Sequence, residues 1–202
     1  MLVLALLLAG CGGSSDSSSS TGVPKGQSKA ESASFAGAKA VPPKPAPPLQ
    51  LKNSLGQTVN LKRFQGKAAL ITFIYTHCPD VCPLIVSHLK AAQAELGAKA
   101  KDMQIIAVST DPRGDNPATV KHFLAEHGMT GRMDYLIGSP QQLQKTWAAW
   151  NIIAKPAPSG RDRVEHSALI YGIAANGKLT TLYSANFKPA QIVHDVPILA
   201  QL

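Results

Sequence analysis

Two cysteines lie close together in the middle of this chain. Cys78 and Cys82 flank a Pro-Asp-Val tripeptide and follow directly after the apolar run at residues 70–75. Thiols at this spacing can coordinate a soft metal ion, or they can cycle between a dithiol and a disulfide. The only other cysteine in the sequence, Cys11, lies near the amino terminus. The first question that the sequence raises is which of the two chemistries this pair performs.

A proline next to the second cysteine indicates where the following helix begins. Inside a regular helix the ring of Pro83 would clash with a backbone carbonyl and remove a hydrogen bond, whereas it fits the first helical position. We therefore predict that the helix begins near Cys82 and that Cys78 lies on the preceding loop. A helix amino terminus favours thiolate over thiol. The pattern predicts an exposed, activated pair whose sulfur atoms can approach each other or open around a metal ion.

The spacing of the cysteines favours metal binding over rapid thiol exchange. Redox enzymes of the thioredoxin type space their two cysteines by two residues, whereas three residues separate Cys78 from Cys82. Two thiolates favour Cu(I) or Zn(II) among the common metals, and a structural zinc site takes four protein ligands. Two sulfur atoms with one further nitrogen ligand make a three-coordinate site, which suits copper better than zinc.

Six histidines are candidates for the nitrogen ligand. His166 directly precedes a predicted strand, a position at which the sites of α/β proteins assemble, and His77 adjoins Cys78. The remaining four fall within predicted helices and are expected to be solvated or structural: His88, His122, His127 and His194. The residue pattern by itself does not decide among them.

Short strands alternate with helices from residue 49 onward. A hairpin is predicted around residues 53–56, buried strands at 68–75 and 103–110, and a second hairpin at 168–183. Helices are predicted at 82–96, 117–127, 141–150 and 189–202. This order is that of an α/β protein with a single thioredoxin-like domain at residues 49–202. Its central mixed sheet is flanked by helices and carries an N-terminal hairpin.

The first 48 residues have the pattern of a targeting and tethering segment. An apolar run too short to span a bilayer ends in Leu-Ala-Gly-Cys, which resembles the lipobox of bacterial lipoproteins. We predict a signal peptide at residues 1–10 and a lipid on Cys11. Residues 11–48 are rich in serine and then in proline, and we expect them to form a disordered tether. The domain would then lie at a bacterial cell membrane, on the extracytoplasmic (periplasmic) side, where disulfides can persist.

The charge balance favours protein or membrane partners. The chain has a net charge of +8, and residues 11–48 hold only four lysines and two acidic residues. Most of the positive excess therefore belongs to the folded part, where it can attract an acidic protein or an anionic membrane surface. The basic residues are scattered and aromatic residues make up only 5% of the chain, which argues against nucleic-acid binding. We expect the protein to be a monomer.

Three segments together resemble a known family. They are residues 76–83 around the cysteines, residues 109–117, which read Ser-Thr-Asp-Pro-Arg-Gly-Asp-Asn-Pro, and the Glu-His-Ser sequence at residues 165–167. In this combination and order the chain resembles the Sco/SenC family. Members of that family are copper-binding, thioredoxin-like proteins that assist assembly of the CuA centre of cytochrome c oxidase. The resemblance covers nearly all of residues 49–202.

The resemblance also implies which residues form the site. By it, Cys78, Cys82 and His166 are the ligands of copper, as Cu(I) or Cu(II). Four acidic residues are expected near the site as auxiliary groups: Asp80, Asp111, Asp115 and Glu165. Glu165 stands where family members usually carry aspartate, a difference that preserves the charge.

Two functions follow as alternatives. The first is a membrane-tethered copper chaperone that delivers copper to the copper-bearing subunit of cytochrome c oxidase or to a similar copper protein. The second is an enzyme, a thiol–disulfide oxidoreductase that reduces the cysteines of a partner's copper site through a mixed disulfide. His166 separates the two, because only copper delivery requires it. A peroxiredoxin-type peroxidase is disfavoured, since the segment before Cys78 lacks the expected proline and threonine spacing.

Overall fold

The computed structural model describes residues 34–156, 164–166 and 168–202. The predicted signal peptide and Cys11 lie outside the described residues. The strands are β1 (Ala38–Pro45), β2 (Gln50–Asn53), β3 (Thr58–Asn60), β4 (Ala68–Ile74), β5 (Met103–Ser109), β6 (Met133–Ile137), β7 (Ala154–Pro156), β8 (Val164–His166), β9 (Leu169–Ile173) and β10 (Lys178–Ser184). The α-helices are α1 (Val81–Leu96), α2 (Pro117–Glu126), α3 (Pro140–Ala149) and α4 (Pro189–Leu199), and short 3-10 helices span Leu61–Phe64 and Gly97–Asp102.

Eight of the described strands form one mixed sheet in the order β1-β10-β9-β4-β5-β6-β2-β3. Strands β4, β5 and β6 are parallel to one another, whereas β9 is antiparallel to β4. Because parallel strands end on the same side, β4, β5 and β6 end together at what we call the carboxyl edge of the sheet. The predicted mixed sheet with flanking helices and the predicted β2–β3 hairpin are confirmed.

Both faces of the central strand β4 are covered, which explains its continuous apolar sequence. Leu70 and Ile74 point into a core cluster that includes residues of α1, α2 and α4. Ile71 and Phe73 point to the other face, into a cluster that includes Leu143 of α3. All seven residues of β4 are buried. The strand therefore holds the residues that follow it, including both cysteines, on a rigid support.

The proline-rich segment before residue 49 is part of the domain, and its assignment to a disordered tether was wrong in this region. Strand β1 pairs in antiparallel fashion with β10, and Ala38 lies opposite Leu182. Proline, which has no backbone N–H, is tolerated in β1 because β1 is an edge strand. Only one side of an edge strand pairs with a neighbour. The composition of such a segment predicts an extended backbone. It does not predict the strand with which that backbone pairs.

Strand β6 and the small β7–β8 sheet were not predicted from the sequence. Strand β6 lies beside β5 in parallel and brings Tyr135 into the core. The small sheet pairs Ala154 with His166. Among the described residues, no helix has both the length and the apolar character needed to cross a membrane.

Candidate metal centre

The two cysteines lie where β4 gives way to α1, at the carboxyl edge. The helix begins at Val81, and the exposed side chain of Asp80 caps it by accepting the Val81 backbone N–H. Cys82 therefore lies in the first turn of α1 and Cys78 on the preceding turn, as predicted. Pro83 is the third helical residue rather than the first. It still falls within the first turn, where helical N–H groups have no intrahelical acceptor.

The thiols are in close contact but buried, so the prediction of an exposed and activated pair was wrong. Cys78 is 7% exposed and Cys82 is fully buried. The backbone N–H of Cys82 donates to Cys78 Sγ at 3.3 Å, and both residues are thiols without a disulfide between them. A hydrogen bond with the Cys78 side chain and burial raise the pKa of the Cys82 thiol. The interaction with Cys78 and burial together outweigh the helix amino terminus, which by itself would favour the thiolate.

A buried aspartate organises the surroundings of the thiols. One carboxylate oxygen of Asp115 accepts the Thr76 backbone N–H at 2.9 Å and the Thr76 hydroxyl at 2.7 Å. The other oxygen accepts the Ser109 hydroxyl at 2.6 Å and the Tyr135 hydroxyl at 2.8 Å. These bonds join the ends of β4 and β5 to β6. Asp115 therefore fixes the turn that leads to Cys78, which gives the predicted auxiliary residue a positioning role.

The charge of Asp115 affects its neighbours. Burial raises the pKa of Asp115, and the hydrogen bonds from Ser109, Thr76 and Tyr135 oppose this effect. Burial and the nearby Asp115 carboxylate raise the pKa of the Tyr135 hydroxyl well above its usual range. Tyr135 thus remains a neutral hydrogen-bond donor. Since four donors already use both Asp115 oxygens, this carboxylate is poorly placed to bind a metal ion as well.

Asp111 and His77 form the outer part of the same cluster. One ligand atom each from His77, Asp111 and Asp115 lie within 4.8 Å of one another. Asp111 Oδ1 accepts the Arg113 backbone N–H at 3.1 Å. A Cβ atom on Gly114 would lie 2.3 Å from Asp111 Oδ2 and 3.2 Å from His77 Nδ1. The backbone at Gly114 therefore packs directly against both side chains and leaves no space for a larger residue.

The backbone of His166 lies in the small β7–β8 sheet, shortly before β9 in the chain. This residue ends β8, and Leu169, three residues later, begins β9. Ile170 of β9 lies opposite Thr72 of β4, and the two strands are antiparallel, so β9 begins near the carboxyl edge of the sheet. Glu165 lies opposite Lys155 in the same small sheet.

Three residues that shape this site were not identified from the sequence. They are Thr76, Ser109 and Tyr135, the hydrogen-bond donors to Asp115. Alternating apolar positions at Met133 and Tyr135 after a glycine-containing turn were the available signal for β6. The hydrogen bonds themselves have no signal in the sequence, because they join residues on three separate strands and their loops.

Comparison with known proteins gives the family. The profile of the SCO1/SenC family matches residues 38–201. The SCO1 protein homolog of Bacillus subtilis (strain 168) is 31% identical over 154 residues, which cover 74% of this chain and 79% of that protein. The structure of Bradyrhizobium japonicum ScoI with copper bound is 32% identical with a TM-score of 0.66, covering 74% of this chain and 96% of that chain. The crystal structure of a SCO1/SenC family lipoprotein from Bacillus anthracis str. Ames is 26% identical with a TM-score of 0.69. The match covers 79% of this chain and 98% of that chain.

The fold and the site together define the class of protein. A thioredoxin-like sheet carries a close dithiol at the end of its central strand, with an aspartate network behind it. The chain belongs to the SCO1/SenC family. The family resemblance of the sequence motifs is thereby confirmed, and so is the thioredoxin-like α/β fold.

Proposed function

We propose that this protein is a copper chaperone that binds copper through Cys78, Cys82 and His166 and delivers it to the CuA site of cytochrome c oxidase. The observation that carries the proposal is the contact between the two cysteines, in which the Cys82 backbone N–H lies 3.3 Å from Cys78 Sγ. Two adjacent sulfur donors in a buried site fit a soft cation such as Cu(I). The copper-bound ScoI structure, at 32% identity, supports this choice of metal.

His166 is the proposed third ligand. Its backbone lies on a short strand directly before β9, the neighbour of β4. Two thiolates and one neutral imidazole around Cu(I) give a site of net charge −1. Asp80 and Glu165 are the proposed auxiliary carboxylates, whereas Asp111 and Asp115 shape the site through hydrogen bonds.

The proposed location is the extracytoplasmic face of a bacterial membrane, with a lipid on Cys11 as anchor. The small residues before Cys11 support this assignment, and so does the similarity to a SCO1/SenC family lipoprotein. The proposed acceptor is the copper-bearing subunit of an oxidase, which is itself bound to the membrane. A tethered donor meets such an acceptor at a higher effective concentration than a freely diffusing one.

Copper binding should release protons. Because the pKa of the Cys82 thiol is raised, Cys82 is protonated near neutral pH and must lose its proton to bind copper as a thiolate. We therefore expect at least one proton to be released per copper ion, and an affinity that falls at least about tenfold for each unit that the pH is lowered. Titration of the apo domain with Cu(I) in weakly buffered solution measures this release. Fewer than one proton per ion would contradict the dithiolate site.

Thiol–disulfide exchange is the second candidate function. It is favoured by the proximity of the two cysteines, since the Cys82 backbone N–H donates to Cys78 Sγ at 3.3 Å. His166→Ala separates the candidates. We expect this variant to lose at least roughly tenfold in copper affinity and most of its copper delivery, while reduction of a disulfide-bonded partner peptide continues at the wild-type rate.

Copper loading of the full-length protein tests the ligand set. We expect one copper ion per chain in the wild type, with two sulfur neighbours and one nitrogen neighbour by X-ray absorption. His122→Ala is a matched control, because His122 is exposed on α2. This variant should bind one copper ion per chain with the same sulfur and nitrogen neighbours as the wild type. Full copper loading of Cys78→Ser would refute the proposed ligands.

A further inference from the structure

A cleft lies between the β2–β3 hairpin and α2, away from the cysteines. It has a volume of about 380 Å³, and neither cysteine lines it. Its walls come from the turn between β2 and β3, from α2, and from the start of β6. Pockets that bind ligands have volumes of roughly 300–1,000 Å³. We call this cavity the β6 cleft.

The first residues of β6 have an open side in this cleft. Strand β6 spans Met133–Ile137, and β2 pairs with it only at Leu136 and Ile137. No other described strand lies beside Met133 and Asp134 on that side. An open strand side can pair with the backbone of a further polypeptide. The cleft therefore suits an extended segment of chain better than a free small molecule.

A carboxylate in the cleft has no cationic partner. Asp134 is half-buried and lines the cleft. One of its oxygens accepts Asn53 Nδ2 at 3.3 Å, and the other accepts Gln104 Nε2 at 3.2 Å. Within the described part of the chain, Asp134 forms no ion pair. Because an ionised carboxylate has about four lone-pair sites, roughly two remain for a ligand.

Asn53 holds this carboxylate in a fixed position. Asn53 is 7% exposed, and its Oδ1 accepts the backbone N–H groups of Leu55 at 3.1 Å and of Gln57 at 3.0 Å. Its amide nitrogen also donates to the Gln57 side chain at 3.1 Å. Since both ends of the Asn53 amide are in use, the side chain is locked. A preorganised acceptor of this kind loses little side-chain entropy when a ligand binds.

A cationic group of opposite placement completes the cleft. Met133 and Tyr135 belong to the core cluster that includes Leu124 of α2. Because side chains alternate along a strand, Asp134 lies on the face of the sheet that is opposite to α2. Lys121, which also lines the cleft, is exposed on α2. One negative and one positive group therefore lie on opposite faces of the sheet, beside the same open strand side.

We propose that the β6 cleft docks an extended segment of a partner protein in which an arginine is followed directly by an acidic residue. Neighbouring side chains of an extended segment point to opposite faces. The guanidinium group would then meet Asp134, where its planar fork fits the two carboxylate oxygens. The acidic side chain would meet Lys121. Such a segment carries no net charge, so the net charge of +8 on this chain does not repel it.

Two further residues of the lining agree with this occupant. Leu55 at the tip of the hairpin is 74% exposed, and the methylene groups of an arginine can cover such an apolar side chain. Tyr135 lines the cleft and donates its hydroxyl to Asp115. The partner would therefore dock one side chain away from the hydrogen bonds that hold the Cys78 turn.

Peptide titration of the copper-free full-length chain tests the proposal. The probe is an acetylated and amidated peptide, Gly-Ala-Arg-Glu-Ala-Gly, and its partner probe has citrulline, which is uncharged, in place of arginine. We expect a Kd on the order of 0.1–1 mM for the arginine peptide and at least roughly tenfold weaker binding of the citrulline peptide. Amide chemical shifts should change at Met133 and Asp134. Equal binding of the two peptides would overturn the proposal.

Variants of the lining separate the two charges. Asp134→Asn, which keeps the size of the side chain, should weaken the arginine peptide at least roughly tenfold. Lys121→Gln should weaken it about twofold to fivefold, because this lysine is exposed. Glu95→Gln is the matched control, since Glu95 is exposed on α1 and its replacement changes the net charge equally. Wild-type affinity in Asp134→Asn would overturn the proposal.

Two further measurements keep the result unambiguous. Leu55→Ala changes only an exposed residue of the hairpin tip, so it should leave the thermal unfolding temperature unchanged and weaken the peptide about threefold. An unchanged affinity in this variant would contradict docking in the β6 cleft. Free L-arginine should bind at least roughly tenfold more weakly than the peptide, because it cannot pair with the open side of β6. Equal affinity of free arginine would overturn the assignment to a partner protein.

Discussion

Replacement of Asp115 by alanine should lower the free energy of unfolding by about 3–4 kcal/mol, because hydroxyl and amide donors would lose their acceptor inside the protein. The donors are the Thr76 backbone and hydroxyl, the Ser109 hydroxyl and the Tyr135 hydroxyl. Urea unfolding of the apo domain measures the loss. Since Thr76 leads into the turn that carries Cys78, copper affinity should also fall by about 10–100-fold.

The control for this change is Tyr135→Phe, which removes one of the donors and keeps the aromatic ring in the core. It should cost only about 1 kcal/mol and leave the copper affinity within a few fold of the wild type. If Asp115→Ala and Tyr135→Phe had the same effect on unfolding and on copper, Asp115 would not be the centre of the network. Wild-type copper affinity in a destabilised Asp115→Ala protein would contradict its positioning role.

Replacement of Cys82 by alanine should lower the copper affinity strongly and the stability of the fold only slightly. Cys82 is fully buried in the core cluster on the α1 face, so loss of its sulfur should cost only about 1 kcal/mol of stability. Structural zinc sites with four ligands gain about 10–16 kcal/mol, and by analogy the loss of one sulfur ligand should lower copper affinity roughly 100-fold. Competition with a Cu(I) chelator measures the affinity, and thermal unfolding measures the stability.

Val86→Ala serves as the matched control for Cys82→Ala. Val86 is also fully buried on α1 but has no ligand atom, so its truncation should lower stability by about 1–3 kcal/mol and leave copper affinity unchanged. Retention of copper in Cys82→Ala would show that the metal is bound without this sulfur. A comparable loss of copper affinity in Val86→Ala would indicate that the effect arises from the fold and not from the ligand.

Local signals in the sequence were sufficient for most of the elements near the site. Pro83 located the start of α1 to within two residues, because a proline fits the first turn of a helix without the loss of a hydrogen bond. Helix α2 begins at Pro117 as predicted, and the side chain of Asn116 caps it. The apolar run before Cys78 predicted β4, since a strand covered on both faces has no polar alternation. The sequence motifs then identified the family.

Long-range contacts decided what the sequence could not. The pairing of β1 with β10 joins residues far apart in the chain, and so do the hydrogen bonds from the Ala36 and Gly37 N–H groups to Asp195. Neither has a periodicity that can be read locally. The burial of the cysteines was also predicted wrongly, because the solvent exposure of a turn depends on the elements that pack over it. The sequence by itself determined the two thiols, their helix and their family. Only the tertiary structure decided that the thiols are buried, that Asp115 holds their turn, and that β1 pairs with β10, since free energies of burial and pairing depend on the whole fold.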